Sequence, residues 1–293
     1  MEKRNSYCKF TIEQEKEIIK QYLEEKKSMA FLGKLWKCDP STIKNILNAY
    51  GHTGRSLSEA RRNYLNYTLN EKIFEVIESP EQAYWLGVMY SDGYITTRNH
   101  TNSFGISVAE KDKEWLEKFK NFLSYNGEIH LYYTSKNAYV ENIPYVRLII
   151  GNNKVVEDLK KLGVVEHKTK LLKSLPSIPY MDDFIRGYID GDGSLAIRLP
   201  HLTISGNKEF LEAIAEYFKL PYKLYQDKSI YGLHYNKDCS EYLEKRLYKN
   251  ASSYLARKYE IAKRSFNSPL TLEDVMEKSL KLRESPESLN NQT

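Results

Sequence analysis

Two apolar, helix-length segments of the chain end in the same Asp-Gly dipeptide, and they lie 100 residues apart. The first reads AYWLGVMYSDGYIT and the second reads FIRGYIDGDGSLAI. When Asp92 is aligned with Asp192, Gly87 also falls on Gly187. Small residues spaced four apart share one helical face, and they let two helix backbones approach closely. The pattern predicts a pair of packed helices, with Asp92 and Asp192 side by side at one end.

A calcium loop is excluded at the second segment. Asp190, Asp192 and Ser194 alternate as in an EF-hand loop. That loop needs Gly at its sixth position and Glu at its twelfth, where this chain has Leu195 and His201. A plain hairpin turn remains an alternative for either segment taken alone, because Asp-Gly is a common hairpin signal. The repetition in register favours the helix pair.

Two carboxylates that are held together repel each other unless a cation binds between them. Carboxylate oxygens suit Mg²⁺, which proteins hold through one or two carboxylates together with phosphate oxygens and water. The residues therefore indicate a magnesium-dependent reaction on a phosphodiester.

The two segments resemble the paired signature of the LAGLIDADG homing endonucleases, in the single-chain form with two copies, over residues 81 to 266. The resemblance implies an α+β fold made of a pseudo-twofold pair of αββαββα halves, whose antiparallel sheets face DNA. It also implies that Asp92 and Asp192 hold the catalytic metals, two or three Mg²⁺ ions at the ends of the motif helices. We assign the residues just before them, Ser91 and Gly191, to the same metal site.

The same order of elements follows each motif, as in an internal repeat. In the first copy YITTRNH and NSFGISVA predict a hairpin, KDKEWLEKFKNFL a helix, EIHLYYTS and PYVRLIIG two strands, and NKVVEDLKKLG a helix. The shorter second copy gives SLAIRLPHLTIS, NKEFLEAIAEYFK, YKLYQDK with IYGLHYN, and NKDCSEYLEKRLY. The first motif departs from the family pattern at Tyr90, where the family often has an aspartate that the second motif keeps as Asp190.

Family members commonly place a lysine near each active site. Lys154 and Lys237 are the predicted catalytic lysines, because each follows an asparagine at the start of the closing helix of its half. An exposed lysine at a helix start is an equally good interpretation of either residue. Arg147 and His234 are the alternatives, because the sequence does not fix the strand register.

Strand alternation assigns a core face and a polar face to each predicted sheet. The predicted core residues are Ile95, Phe104, Ile106, Val108, Leu195, Ile197, Leu199, Leu202 and Ile204. The resemblance makes the polar face a DNA-binding face, although plain solvent exposure gives the same pattern. The predicted DNA-binding residues on it are Tyr94, Thr96, Arg98, Ser103, Ser107, His130, Tyr132, Thr134, Arg147, Ser194, Arg198, Thr203 and Ser205, and His100 shares their parity.

The amino-terminal segment predicts three helices with a tight turn before the third. Amphipathic spacing marks a helix from Thr11 to Lys26, Ser28 can cap a second, and Asp39 before Pro40 fits the start of a third. This order is similar to the helix-turn-helix of site-specific recombinases and many phage regulators. If the third helix enters the major groove, the residues able to touch DNA are Ser41, Thr42, Lys44, Asn45 and Asn48. A small helical domain for protein contacts is the alternative.

These assignments predict a domain order along the chain. The domains are a helix-turn-helix domain (1–54), a basic linker (55–80), the first half (81–180), the second half (181–268) and a tail (269–293) with no assigned function. In the linker, Arg55, Arg61 and Arg62 are placed either along the DNA backbone or in solvent.

Composition limits the class of protein. The net charge of +5 and the pI near 8.7 support nucleic-acid binding only weakly. The apolar runs are shorter than the ~20 residues of a membrane span. The three cysteines, Cys8, Cys38 and Cys239, have neither zinc-site nor disulfide spacing. We expect a cytoplasmic protein.

The predicted function is site-specific hydrolysis of both strands of double-stranded DNA with Mg²⁺, which by resemblance leaves short 3′ overhangs. Two dissimilar halves in one chain predict a long asymmetric target and action as a monomer. Two other functions stay open on the same fold, a transcriptional regulator that binds DNA without cutting and a maturase that assists RNA splicing. Retention of both acids argues against the regulator. The amino-terminal DNA reader argues against splicing as the sole activity.

Overall fold

The computed structural model describes residues 10–55, 67–98, 101–135, 141–166, 171–228 and 230–284. The chain divides into two compact units, Met1–Thr68 and Leu69–Thr293. The boundary between the units falls inside the segment that the sequence pattern assigned to a linker. Within the described part of the chain, no helix combines the length and the apolar character that crossing a membrane requires.

The first unit contains three short helices, α1 (Ile12–Leu23), α2 (Met29–Leu35) and α3 (Pro40–Ala49). Each helix starts at a residue whose side-chain oxygen accepts a backbone N–H of the first turn, namely Thr11, Ser28 and Asp39. Their shared core consists of Ile18, Tyr22, Leu32, Ile43, Ile46 and Leu47. Phe31 and Leu35 on α2 are about half exposed. A seven-residue helix has room to bury only one short stripe against its neighbours.

The second unit repeats the order αββαββα twice, which confirms the predicted α+β pair of halves. The first half comprises a helix at Pro80–Ser91, β1 (Gly93–Arg98), β2 (Thr101–Ala109), a helix at Lys113–Phe122, β3 (His130–Tyr133), β4 (Pro144–Gly151) and a helix at Asn153–Lys161. The second half comprises a helix at Met181–Asp192, β5 (Gly193–Leu195), β6 (Leu202–Gly206), a helix at Lys208–Phe218, β7 (Tyr222–Asp227), β8 (Ile230–Tyr235) and a helix at Lys237–Tyr248. Helices at Ala256–Ala262 and Leu272–Glu284 follow.

Each half has one four-stranded antiparallel sheet, with the order β1-β2-β4-β3 in the first and β5-β6-β8-β7 in the second. The strand register is the same in both halves. The glycine after each motif pairs with an isoleucine on the next strand, and that isoleucine pairs with a leucine on the third. These matched rows are Gly93, Ile106 and Leu148 in the first sheet, and Gly193, Ile204 and Leu233 in the second.

One face of each sheet is the predicted core face. The predicted core residues that are buried are Ile95, Phe104, Ile106, Val108, Leu195, Leu202 and Ile204. Helices cover this face, Lys113–Phe122 over the first sheet and Lys208–Phe218 over the second. The opposite face of each sheet therefore carries the polar residues.

The prediction of a long first strand in the second half was wrong. β5 ends at Leu195, and Ile197 and Leu199 are 81% and 64% exposed. The Arg264 guanidinium donates hydrogen bonds to the carbonyl oxygens of Ala196 (2.6 Å) and Ile197 (3.0 Å). Because these carbonyls bond to a side chain, the backbone leaves the sheet here and the alternation of strand faces ends.

The helices Pro80–Ser91 and Met181–Asp192, called the first and second motif helices below, pack against each other through reciprocal glycines. A Cβ atom at Gly87 would collide with the carbonyl oxygen of Phe184. A Cβ atom at Gly187 would collide with the carbonyl oxygen of Tyr84. The obstacle in each case is backbone, which cannot rotate away as a side chain can. The predicted helix pair is therefore present, and its close approach depends on both glycines.

We expect Gly87→Ala and Gly187→Ala each to lower the free energy of unfolding of the second unit by about 3 kcal/mol, because the helices must separate to admit the methyl group. Denaturant unfolding monitored by circular dichroism measures the loss. Gly54→Ala in the first unit is the matched control. The added Cβ would lie 2.9 Å from the end of the Met29 side chain, which is flexible and can move aside. Wild-type stability of both motif variants would contradict the close helix contact.

Candidate functional site

The pairing of the motif helices brings together the two helix ends that carry the acids. Asp92 caps the first motif helix, and Asp192 is the last residue of the second. A Cβ atom built at Gly191 would lie 3.2 Å from Cγ of Asp92 and would collide with the side chain of Ser91. Only glycine fits at position 191, so the end of the second motif helix lies directly against the Asp92 carboxyl.

The chemistry of this site fits a hard divalent cation. Within the described residues, no group of three or more His, Cys, Asp or Glu side chains could hold a metal ion without other ligands. Two adjacent carboxylates with further positions left to water and phosphate oxygens are the arrangement that Mg²⁺ tolerates. A cavity of about 130 Å³ has Asp192, Ser91 and Tyr188 in its wall, whereas Asp92 does not line it. Asp92 and Asp192 would hold the ion.

The hydroxyl of Ser91 bonds within its own helix, to the carbonyl oxygens of Gly87 (3.3 Å) and Val88 (3.2 Å). The structure places Ser91 and Gly191 at the acids, as expected, but their contacts are those of helix packing. Whether either contributes an oxygen ligand stays a prediction.

A second aspartate of the motif, Asp190, is buried in a hydrogen-bond network. Its carboxylate accepts bonds from the hydroxyls of Tyr84 and Tyr248 and from the backbone N–H of Leu255, each at 2.7 Å. Burial raises the pKa of Asp190, and the nearby Lys258 ammonium and these donors oppose that rise. Burial and the neighbouring carboxylate hold the pKa values of Tyr84 and Tyr248 well above their usual range. The network ties both motif helices to the end of the helix Lys237–Tyr248 and to the segment that follows it.

The first motif uses the same position differently. Tyr90 stands where the second motif has Asp190, and its hydroxyl donates to the carbonyl oxygen of Leu162 at 2.6 Å. Tyr90 therefore anchors the end of the closing helix of its own half. Asp190 instead bonds to Tyr248 at the end of the closing helix of the second half and to Leu255 just after it. The departure from the family pattern is a change of structural partner and leaves Asp92 in place.

Lys258 is a functional candidate that sequence reasoning missed. Its buried ammonium donates to the carbonyl oxygens of Ile189 (2.6 Å), Asp190 (2.7 Å) and Gly193 (2.7 Å). Burial lowers the pKa of Lys258 to about 8, against the influence of Asp190, Asp92 and Asp192. These contacts close the end of the second motif helix next to Asp192. No motif marks Lys258, because it lies on a helix far downstream of the residues it contacts.

Lys154, one of the two predicted lysines, is paired with acids of its own half. It forms ion pairs with Asp158 and with Glu75 (3.2 Å). It lies six residues beyond Leu148, which is the β4 residue level with Gly93. The ion pairs give Lys154 a structural role, and its role at the acids stays a prediction.

The two lysines are also not equivalent. Asn152 caps the closing helix of the first half, and Asn236 caps that of the second. The caps therefore align Lys237 with Asn153, one residue away from Lys154. The predicted symmetry rested on the dipeptides Asn153-Lys154 and Asn236-Lys237. Asn236 is a helix cap, whereas Asn153 is the residue after the cap. Lys237 is exposed. The alternatives lie nearer to the acids in register, because Arg147 and His234 each adjoin the residue level with the motif glycine.

The polar face of the first sheet carries an aromatic cluster. Arg147, Tyr132 and His130 lie on neighbouring strands, with the Tyr132 and Tyr145 rings stacked at 5.6 Å. Ser107 lies on the same face and bonds to Arg147, and Thr96 and Ser103 share a hydrogen bond of 2.6 Å. Tyr94 also belongs to the cluster, because its ring faces the Arg147 guanidinium. It follows Asp92 by two residues in the sequence. Thr134 lies just beyond β3, where its hydroxyl accepts the N–H of Ile143.

The polar face of the second sheet centres on imidazoles. His234 Nδ1 lies 3.2 Å from the Thr203 hydroxyl and 3.4 Å from Nε2 of His201. Burial and the neighbouring His201 lower the pKa of His234. Ser194 and Ser205 are exposed nearby on β5 and β6. Arg198 is exposed in the loop after β5, so it does not lie on the sheet face that the alternation predicted.

Four predicted positions fall wholly or partly outside the described part of the chain. Arg98 belongs to β1, but its side chain is outside that part. His100, Arg61 and Arg62 are wholly outside it.

In the first unit, α3 presents the residues proposed for DNA contact. Ser41, Lys44, Asn45 and Asn48 are exposed, and Thr42 is partly buried. Arg55 is held within its own unit, with its guanidinium 3.9 Å from the Tyr22 ring centre and bonded to the carbonyl oxygens of Tyr22, Lys26 and Lys27. The donors of Arg55 are therefore largely used in folding.

Comparison with known proteins finds a family match for the first half. Residues 79–163 match the family model described as a LAGLIDADG-like domain, which confirms the resemblance predicted from the motifs. This part of the chain is thus similar to a LAGLIDADG-like domain, and the second half repeats its order of elements. None of the curated proteins matches the sequence.

Several solved structures are similar to this chain at low identity. The homing endonuclease I-WcaI bound to its DNA recognition sequence has 14% identity and a TM-score of 0.48, covering 72% of this chain and 96% of that chain. The LAGLIDADG homing endonuclease I-GzeII in complex with its DNA target has 13% identity and a TM-score of 0.45, covering 71% and 98%. The LAGLIDADG meganuclease I-AabMI bound to uncleaved DNA has 14% identity and a TM-score of 0.44, covering 71% and 99%.

We expect Lys258→Met to lower the free energy of unfolding by about 3 to 5 kcal/mol, because it leaves Asp190 without its buried counter-charge and three carbonyl oxygens without a donor. Thermal and denaturant unfolding measure the effect. Lys263→Met is the control, since that lysine forms an ion pair with Glu260 at the surface, and we expect little change. Equal effects of the two substitutions would show that the Lys258 contacts contribute no more than a surface pair.

Proposed function

We propose that this chain is a site-specific endonuclease that hydrolyses both strands of double-stranded DNA with Mg²⁺. The observation that carries the proposal is the reciprocal glycine contact of the motif helices, which sets the Asp92 and Asp192 ends against each other. The match of residues 79–163 to a LAGLIDADG-like domain supports the same function. No comparable arrangement of acids is needed merely to hold two helices together, because like charges at one end oppose the pairing.

In the proposed mechanism, Asp92 and Asp192 hold divalent ions and each serves one strand. Bound Mg²⁺ supplies Lewis-acid polarisation and an activated water at the phosphate. The chain's own contribution is position. Gly191 lets the two acids approach, and Lys258 fixes the backbone that leads into and out of Asp192. The acids can then bind without first reorganising the helix ends, which lowers the free-energy barrier of the reaction.

The polar sheet faces are the proposed DNA-binding surfaces. They carry hydroxyl, imidazole, guanidinium and phenol groups, which bond to base edges and phosphates. The two faces differ in composition, so a long asymmetric target and action by a single chain follow from the proposal. His234 is the basic residue that we place nearest to a reacting phosphate, in preference to Lys154 and Lys237.

Asp92→Asn and Asp192→Asn should each abolish double-strand cleavage while DNA binding persists, because an amide loses the charge that holds the metal but keeps the shape of the site. The substrate is duplex DNA from the sequence flanking the protein's own gene. Cleavage is followed on gels with Mg²⁺ and with EDTA, and binding by mobility shift in EDTA. Glu260→Gln, a surface acid paired with Lys263, is the charge control.

This experiment separates the proposed nuclease from its rivals. Metal-dependent double-strand breaks favour the nuclease, and tight binding without breaks favours a regulator. Rescue of splicing of a flanking intron transcript favours a maturase. Full cleavage by both aspartate variants would rule out the acids as metal ligands.

For the first unit, we propose that α3 contacts DNA beside the cut site. Deletion of residues 1–54 should weaken binding of the target by about tenfold or more and leave metal-dependent cutting intact, because the acids lie on the second unit. The substitution Lys44→Ala in the full chain should weaken binding by a smaller factor. Fluorescence anisotropy measures both. Unchanged affinity of the truncated protein would rule out DNA contact by α3.

A further inference from the structure

Arg147 is fixed in the middle of the first sheet by its neighbours. Its Nε donates to the Ser107 hydroxyl at 2.8 Å. The guanidinium carbon lies 5.3 Å from the ring centre of Tyr132, 5.4 Å from that of Tyr145 and 5.9 Å from that of Tyr94. Electron-rich ring faces attract a cation at these distances. The guanidinium is thus held in one place before any ligand arrives.

The two terminal amino groups of Arg147 meet no protein acceptor in the described part of the chain, and no carboxylate there forms an ion pair with it. Guanidinium donors form a planar fork, so four N–H groups remain once Nε is used. The Tyr94 hydroxyl is also buried and has no hydrogen-bond partner among the described residues. A partly buried cation with donors that no protein group uses is unfavourable unless water or a ligand accepts them, so these donors are available to a ligand.

The position of the second sheet that is equivalent to Arg147 carries no cation. The shared strand register makes Gly232 the counterpart of Arg147, since Gly232 pairs with Ser205 as Arg147 pairs with Ser107. A Cβ atom at Gly232 would lie 2.8 Å from Nε2 of His234. The imidazole therefore occupies the space that a longer side chain at this position would need. At this pair of equivalent positions, only the first half carries the fork.

On the basis of the proposed function, we propose that Arg147 recognises one guanine in the half of the target that the first sheet covers, by donating Nη1–H and Nη2–H to guanine N7 and O6. Guanine presents two adjacent acceptors in the major groove, which matches the spacing of an arginine fork. β4 is an inner strand, flanked by β2 and β3. A central side chain faces the base edges, whereas phosphates line the walls of a groove ~12 Å wide.

The test begins with a pool of duplexes randomised over about 30 base pairs and bound in EDTA. Four full-length proteins are compared, namely wild type, Arg147→Gln, Arg147→Lys and Arg257→Gln. Arg257→Gln is the matched loss of a positive charge, because Arg257 is exposed and forms an ion pair with Asp112 on a helix. Sequencing of the bound duplexes gives the base preference at each position.

Wild type and Arg257→Gln should select guanine at one position that both Arg147 variants leave free, with a loss of discrimination of about tenfold or more there and little change elsewhere. Arg147→Lys keeps the charge but lacks the fork, so it should retain more affinity than Arg147→Gln. If Arg147→Gln does not fold by circular dichroism, Arg147→Lys alone decides the result.

A second arm isolates the acceptor. A single selected duplex is made with 7-deazaguanine at that position, which removes N7. Wild type should bind this duplex about tenfold more weakly than the natural one, and the Arg147 variants should bind the two equally. A methylphosphonate at each neighbouring phosphate in turn tests the other acceptor that a guanidinium fork fits.

Two results would overturn the proposal while leaving the proposed function standing. One is a uniform loss of affinity in the Arg147 variants with every base preference kept, together with sensitivity to a methylphosphonate, which would make Arg147 a phosphate contact. The other is an unchanged guanine preference in both variants. A wild-type protein that selects no sequence at all would instead refute site-specific DNA binding, and with it this inference.

Discussion

The contact between the backbones of the two motif helices is the constraint on which the rest of the second unit depends. Gly87 and Gly187 each face a carbonyl oxygen of the other helix, so the helices lie as close as backbone allows. A close pair that starts two similar halves fixes where both sheets begin, because a strand follows each helix directly. It also fixes the end at which Asp92 and Asp192 meet. The position of the acids is therefore a result of helix packing.

The buried charges next to the acids show how the molecule stabilises that arrangement. Asp190 and Lys258 are almost fully buried, and their polar atoms are bonded to hydroxyls, a backbone N–H and carbonyl oxygens. Such a pair is stable only when its remaining hydrogen-bonding groups are satisfied, as they are here. The consequence is a rigid end for the second motif helix. The first motif achieves its anchoring through Tyr90 and Leu162 within its own half.

The two halves share their strand register, but the side chains on their polar faces differ. Arg147 in its tyrosine cluster and Gly232 beneath His234 occupy equivalent positions on the two sheets. The core face must match the pattern of buried residues, so it tolerates little change between the halves. The polar face has no such requirement, because its side chains do not have to fill a closed core. Divergence of the two faces is therefore possible without loss of the fold, and it gives a single chain two chemically distinct surfaces.

The sequence alone determined the features that depend on local patterns. The spacing of glycines predicted the helix pair, capping residues such as Asp39 predicted helix starts, and alternation predicted the core of both sheets. Only the tertiary structure decided which residues far apart in sequence meet. It paired Lys154 with Glu75, brought Lys258 to the second motif helix, and ended β5 at Leu195. Helix and strand periodicity act within a few residues, whereas these contacts depend on strand register and on segments packed across the fold, which no local pattern encodes.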